Sequence, residues 1–212
     1  MRCSIKPVLV YNGIHIDKIL QKEDYTFKTF SIVQISRLDH EIKGQDIIIE
    51  ALKVMVYEIG IKNICVDFIG EGNSLVYLKK LVEEYKIKEY VNFLGIRDRK
   101  FIYEHLKDYN LLVQPSLYEG FGLTIVEAMA AKVPVLVSDI DGPLEIIENG
   151  MYGWMFKNND GKDCASNILK IVSIYKEIKL KIEDSYNHIF SNFNIRSTSK
   201  LYLNNYLNSK SK

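Results

Sequence analysis

The sequence predicts a doubly wound α/β domain built on a mostly parallel, six-stranded, Rossmann-like sheet. Three observations predict it. Six short runs are apolar at nearly every residue, as strands covered on both faces must be. Segments with a 3.6-residue apolar period lie between them. Those segments also supply the dozen or more residues that a parallel crossover requires.

The strands fall at residues 30–35, 64–69, 91–94, 111–114, 133–137 and 153–156. After the first, Ile48, Ala51, Leu52 and Met55 recur at i, i+3, i+4 and i+7, one face of a helix. After the second, Leu78, Leu81, Val82 and Tyr85 repeat that spacing. Asn158-Asn159-Asp160-Gly161 is a turn cluster that closes the alternating region, so residues 30–158 read as one domain. Residues 159–212 read as helices packing on it or crossing from it: Ile168, Ile171, Val172 and Tyr175 form one stripe, and a further helix is expected over 195–206. The polar residues 208–212 are expected to fray. At the other end, residues 7–11 look like a single strand, and Asn12-Gly13 is a turn dipeptide with a weak returning strand behind it. Residues 1–29 therefore read as a connector entering the domain from elsewhere.

The composition excludes several classes. Of 212 residues, 47% are hydrophobic and 26% charged, which fits a packed globular chain and neither disorder nor a coiled coil. Lys plus Arg total 28 against 27 acidic residues, so the basic excess of a nucleic-acid binder is lacking. Cys3, Cys65 and Cys164 are odd in number and form no Cys-x-x-Cys pair, which argues against a disulfide framework or a structural zinc site. No apolar run reaches the roughly 18–20 residues needed to span a bilayer, and the N-terminus lacks a signal-peptide core. The expected location is cytoplasmic.

Doubly wound sheets bind ligands at the carboxyl ends of their strands. After the first strand, Ser36-Arg37-Leu38-Asp39-His40-Glu41-Ile42-Lys43-Gly44-Gln45-Asp46 brings Arg37 and Lys43 near a helix start, where free N–H groups and the helix dipole favour an anion. These residues form a candidate phosphate clamp. The plainer alternative is two solvated charges. After the fourth strand comes Glu119-Gly120-Phe121-Gly122-Leu123-Thr124-Ile125-Val126-Glu127, with one carboxylate in the loop and one inside the following helix. Such a pair suits hydroxyls on two parts of one ligand. The alternative is a strand–turn–helix with two surface glutamates.

The segment from Glu119 to Ala130, with seven residues between its two glutamates, resembles the signature of retaining glycosyltransferases of family 4. Ser36-Arg37-Leu38 with Lys43-Gly44-Gln45-Asp46 resembles that family's phosphate loop, and Phe68-Ile69-Gly70-Glu71-Gly72 and Asn92-Phe93-Leu94-Gly95 its next strand ends. Asp141-Gly142-Pro143-Leu144-Glu145, then Asn149-Gly150 and Gly153, resemble its following segment. The resemblance covers residues 31–156, with Val8 to Ile14 resembling the interdomain connector.

The resemblance implies the C-terminal, donor-binding half of a GT-B enzyme, with an absent N-terminal acceptor domain through which any glycan or lipid-linked acceptor, or membrane contact at the inner face, would come. It implies a nucleoside-diphosphate-sugar donor, no metal, no other cofactor, and no transfer by this half alone. Arg37 and Lys43 would hold the diphosphate, Glu119 the transferred sugar and Glu127 the ribose. Backbone amides of Gly120, Phe121, Gly122, Leu123 and Thr124 would meet sugar or phosphate oxygens. The loops at Gly70–Gly72 and at Gly95, Ile96 and Arg97 would bracket the base. Ser36 departs from the glycine of many members and adds a Cβ near the ligand.

Asp139-Ile140-Asp141 has the Asp-x-Asp pattern that holds manganese in a different glycosyltransferase fold, but it lies within the segment matched to the metal-free family. His15, His40, His105 and His188 show no ligand spacing, although His40 stands in the phosphate loop. Two other readings remain open at this point: a non-catalytic nucleotide-sugar sensor, and half of a nucleotide-sugar epimerase. A dinucleotide oxidoreductase is disfavoured, since no Gly-x-Gly-x-x-Gly follows the first strand.

Overall fold

The computed structural model describes residues 8–210. All six expected strands form one sheet: β1 Phe30–Ile35, β2 Ile64–Ile69, β3 Val91–Gly95, β4 Leu111–Gln114, β5 Val135–Ser138 and β6 Trp154–Phe156. Their order is β3-β2-β1-β4-β5-β6. Every pairing is parallel rather than mostly so. The helices are α1 His40–Lys43, α2 Gln45–Lys53, α3 Leu75–Glu84, α4 Arg99–His105, α5 Leu123–Ala130, α6 Asp141–Ile146, α7 Gly161–Ser173, α8 Lys179–Asn192 and α9 Ile195–Lys210.

Strand alternation divides the core into two layers. On β1, Phe30 and Ile32 face the layer shared with α2, α3 and α7, while Val33 faces the layer shared with α5, α6 and α8. Leu111 and Val113 against Leu112 on β4 repeat the division, as do Leu136 against Val135 and Val137 on β5. Near-continuous apolar strands are the direct consequence, because neither face meets water. Ile48, Ala51 and Leu52 are fully buried along α2, and Met55 is fully buried in the π-helical turn Val54–Glu58 that continues it, as the helical spacing required. Each of the Ile, Leu and Met side chains among them stabilises the fold by about 1.5–3 kcal/mol on burial.

The chain runs from β1 outward through β2 to β3, then returns to place β4 beside β1, in register Ile32 with Leu111 and Val33 with Leu112. The loops after β1 and β4 therefore lead in opposite directions and leave a crevice between them, the topological switch point at which such sheets bind ligands.

Several expectations are corrected. The described part of residues 7–11 is not a strand; Ile14 instead makes an isolated parallel bridge to Asn194. Tyr11 packs its ring against Phe193, so this segment is held by side chains rather than by a sheet. The C-terminal helix runs to Lys210, past the limit expected at residue 206, and residues 211–212 lie outside the described part. β5 begins at Val135 and β6 at Trp154, each later than expected, and β3 gains Gly95. Cys65 and Cys164 are free thiols, while Cys3 and the N-terminal residues 1–7 fall outside the described part.

Candidate functional site

Gly44 decides how the two central loops meet. It follows α1 with φ 62° and ψ 33°, left-handed backbone that a side chain resists. A Cβ there would collide with the Pro115 carbonyl oxygen, so glycine lets the loop after β1 rest on the loop after β4. The Ile42 carbonyl accepts from the Leu117 N–H at 2.9 Å and the Tyr118 N–H at 3.3 Å. From within β1, the Gln34 amide donates to the Lys43 carbonyl at 2.8 Å.

With the backbones clamped, Lys43 Nζ reaches Glu119 Oε2 at 2.7 Å, and the two side chains are 20% and 17% exposed. Arg37 lines the same crevice, but its guanidinium pairs with Asp39 at 2.7 Å and is 64% exposed. Its backbone is better fixed than its side chain: Gln45 Nε2 donates to the Arg37 carbonyl at 2.9 Å and to Ser36 Oγ at 3.0 Å. The hydroxyl that distinguishes Ser36 from glycine thus serves the loop's internal bonding, donating to the Arg37 carbonyl at 3.1 Å.

The opposite wall is the start of α5. Gly122 caps it with no side-chain bond to the first turn, which leaves first-turn N–H groups without a capping partner where Gly122, Leu123 and Thr124 line the crevice. Thr124 Oγ1 donates to Gln114 Oε1 at 3.3 Å, and Gln114 donates in turn to Ser116 Oγ at 2.8 Å. Together Arg37, Lys43, Glu119, Gly122, Leu123 and Thr124 bound a cavity of about 380 Å³, with Phe121 at its rim. Two cations, a helix start and a carboxylate make it suited to an anion bearing hydroxyl groups.

Other candidates lie apart from this cavity. Glu127 sits on α5 at 8% exposure, and burial raises its carboxyl above the ordinary range, with Arg99 offsetting part of the effect. Gly70 and Gly72 pack against backbone: a Cβ on either would collide with the Ser36 or Leu38 carbonyl oxygen. They hold the β1 loop rather than line the cavity. The Gly95 carbonyl accepts from the Gly70 N–H at 2.9 Å, Ile96 is exposed, and Arg97 lies over the Phe101 ring at 5.3 Å. Gly120 is exposed in its loop, with Gly142 of α6 packed against its backbone. His40 turns away, stacked on Tyr77 with Nδ1 2.8 Å from Ser74 Oγ. Asp139 accepts from the Asn158 N–H at 2.6 Å, and Asp141 opens α6.

Sequence reading passed over Gln34, Gln45, Gln114 and Asn12. The two strand glutamines carried a signal, since a buried amide inside an apolar run must have hydrogen-bonding work. Asn12 carried none.

The family model described as glycosyl transferases group 1 matches residues 16–185. The chain belongs to this family. As a group 1 glycosyl transferase, it is 28% identical over 171 residues to an uncharacterized glycosyltransferase of Methanocaldococcus jannaschii, covering 79% of the chain and 44% of that protein. It is 32% identical over 190 residues to a protein of Thermosipho melanesiensis named "Probable sucrose-phosphate synthase", covering 86% and 42%. The chain thus spans less than half the length of either relative. Among solved structures, Anabaena HepE in complex with UDP-glucose superposes with a TM-score of 0.83 at 21% identity, over 94% of this chain and 57% of that one. Sucrose-phosphate synthase from Thermosynechococcus elongatus gives 0.81 at 21% identity, over 96% and 53%. At that identity the likeness is one of fold: a Rossmann-like α/β sheet of the kind found in GT-B glycosyltransferases. No helix among the described residues is long and apolar enough to cross a membrane.

Proposed function

We propose that this chain is the donor-binding half of an enzyme that moves a sugar, with retention, from a nucleoside diphosphate to a glycan or lipid-linked acceptor. The observation that carries the reading is the Lys43–Glu119 pair within one cavity at the switch point of the sheet. Breaking the anomeric carbon–oxygen bond loads negative charge onto the leaving diphosphate. A cation held ready beside a helix start stabilises that charge more in the transition state than in the ground state, which raises rate. Lys43 and Arg37 take this role in place of a divalent ion. Glu119, oriented by Lys43, takes hydroxyls of the transferred sugar, and the amides from Gly120 to Thr124 take phosphate or sugar oxygens. Glu127 takes the ribose, and the edge formed by Gly95, Ile96 and Arg97 takes the base. Residues 1–29 connect to an acceptor domain that supplies the acceptor and any membrane contact. The presence of UDP-glucose in the HepE complex supports the donor class.

The test is a thermal-shift screen of the 212-residue chain against UDP, GDP and ADP and their glucose or mannose conjugates. Ligand at about 100 times its Kd adds about 2.7 kcal/mol of stability, enough for a clear rise in Tm. No rise with any of them overturns the reading. Sugar transfer by the isolated chain overturns the assignment of acceptor binding to another domain.

A further inference from the structure

We propose that Asn12 contacts hydroxyls of the transferred sugar, which makes the segment preceding β1 part of the donor site. The inference rests on the nucleotide-sugar reading of the cavity. Asn12 lines the same cavity as Lys43 and Glu119, although no strand-end loop carries it.

Its backbone is held from both sides. On one side the Tyr11 ring lies 4.9 Å from Phe193 and 6.3 Å from Phe121, and its hydroxyl donates to Glu145 Oε1 at 2.8 Å. On the other side the Ile14 N–H donates to the Phe193 carbonyl at 2.8 Å, and the Ile195 N–H donates to the Ile14 carbonyl at 3.0 Å. Gly13 between them runs so close to α9 that a Cβ would stand 2.6 Å from Ile195 Cα. Phe121 also belongs to the cavity wall, so the anchor and the site share a side chain. Asn12 itself is exposed, and its amide makes no hydrogen bond among the described residues.

The chemistry favours a hydroxyl over a phosphate. Phosphate oxygens at neutral pH chiefly accept, and Arg37, Lys43 and the start of α5 already offer donors for them. An uncharged amide both donates and accepts, as a sugar hydroxyl does. Beside the acceptor-only carboxylate of Glu119, it completes a wall that recognises a polyol.

Calorimetry on the 212-residue chain separates the outcomes, with UDP and UDP-glucose as probes, or the GDP or ADP pair if the wild type takes those. Asn12→Ala is expected to weaken nucleotide-sugar binding about 3- to 10-fold, the loss of one neutral hydrogen bond. Binding of the bare diphosphate and the thermal unfolding midpoint should stay unchanged. Unchanged affinity for both probes overturns the role of Asn12 and leaves the nucleotide reading standing. Equal loss for both probes assigns Asn12 to the diphosphate and overturns the sugar contact. A wild type that binds no nucleotide overturns the underlying reading and this inference together.

Discussion

Lys43 Nζ lies 2.7 Å from Glu119 Oε2, across 76 positions of sequence. One residue ends the helix after β1 and the other sits in the loop after β4, strands that become neighbours only when the sheet reverses direction. The pair is mostly shielded from water, so its charges act on a ligand with less screening than surface groups would.

Removing the cation tests the clamp. A hydrogen bond to a charged group contributes about 1.5–3 kcal/mol. Lys43→Ala should therefore weaken nucleoside-diphosphate binding roughly 10- to 150-fold by calorimetry. Equal affinity in wild type and variant removes Lys43 from diphosphate binding.

Gly44→Ala should damage stability and site together. The new methyl meets the Pro115 carbonyl in a backbone conformation that alanine already resists. A loss of roughly 2–4 kcal/mol is expected in urea unfolding. Nucleotide affinity should fall as well, since Lys43 is the preceding residue. A variant as stable as the wild type would mean that the two loops separate at little cost.

Glu127 sets function against stability. Burial raises its carboxyl above the ordinary 4.5, so the folded chain holds that proton more tightly than the unfolded one. Its contribution is fully present below pH 4.5 and is lost as pH rises through the raised value. Glu127→Gln should therefore make the ligand-free chain more stable near pH 7 and remove this part of its pH dependence, as read from Tm at pH 4–8. If the carboxylate holds ribose, the same variant binds nucleotide more weakly. A variant less stable at pH 7 contradicts the burial argument.

How much of this was legible beforehand follows from what each residue depends on. The strands were readable because a strand covered on both faces must be apolar throughout. The Ile48–Met55 stripe was readable because its spacing matches a helical turn. Gly70 and Gly72 were legible as a strand-end loop, but their close packing against the Ser36 and Leu38 backbone is a contact that no local pattern encodes. Glu127 was named as a ligand group without a hint that its side chain lies buried.

The sequence by itself determined the alternation of elements, the glycines and charges at strand ends, and hence the class of site. Local backbone preference and the period of apolar residues suffice for that, because each acts within a few residues. Only the tertiary structure decided that β4 lies beside β1, that Lys43 grips Glu119, and that Asn12 joins the cavity from outside the sheet. Those outcomes come from the simultaneous packing of distant segments around two apolar layers, and that collective minimum is written in no single stretch of chain.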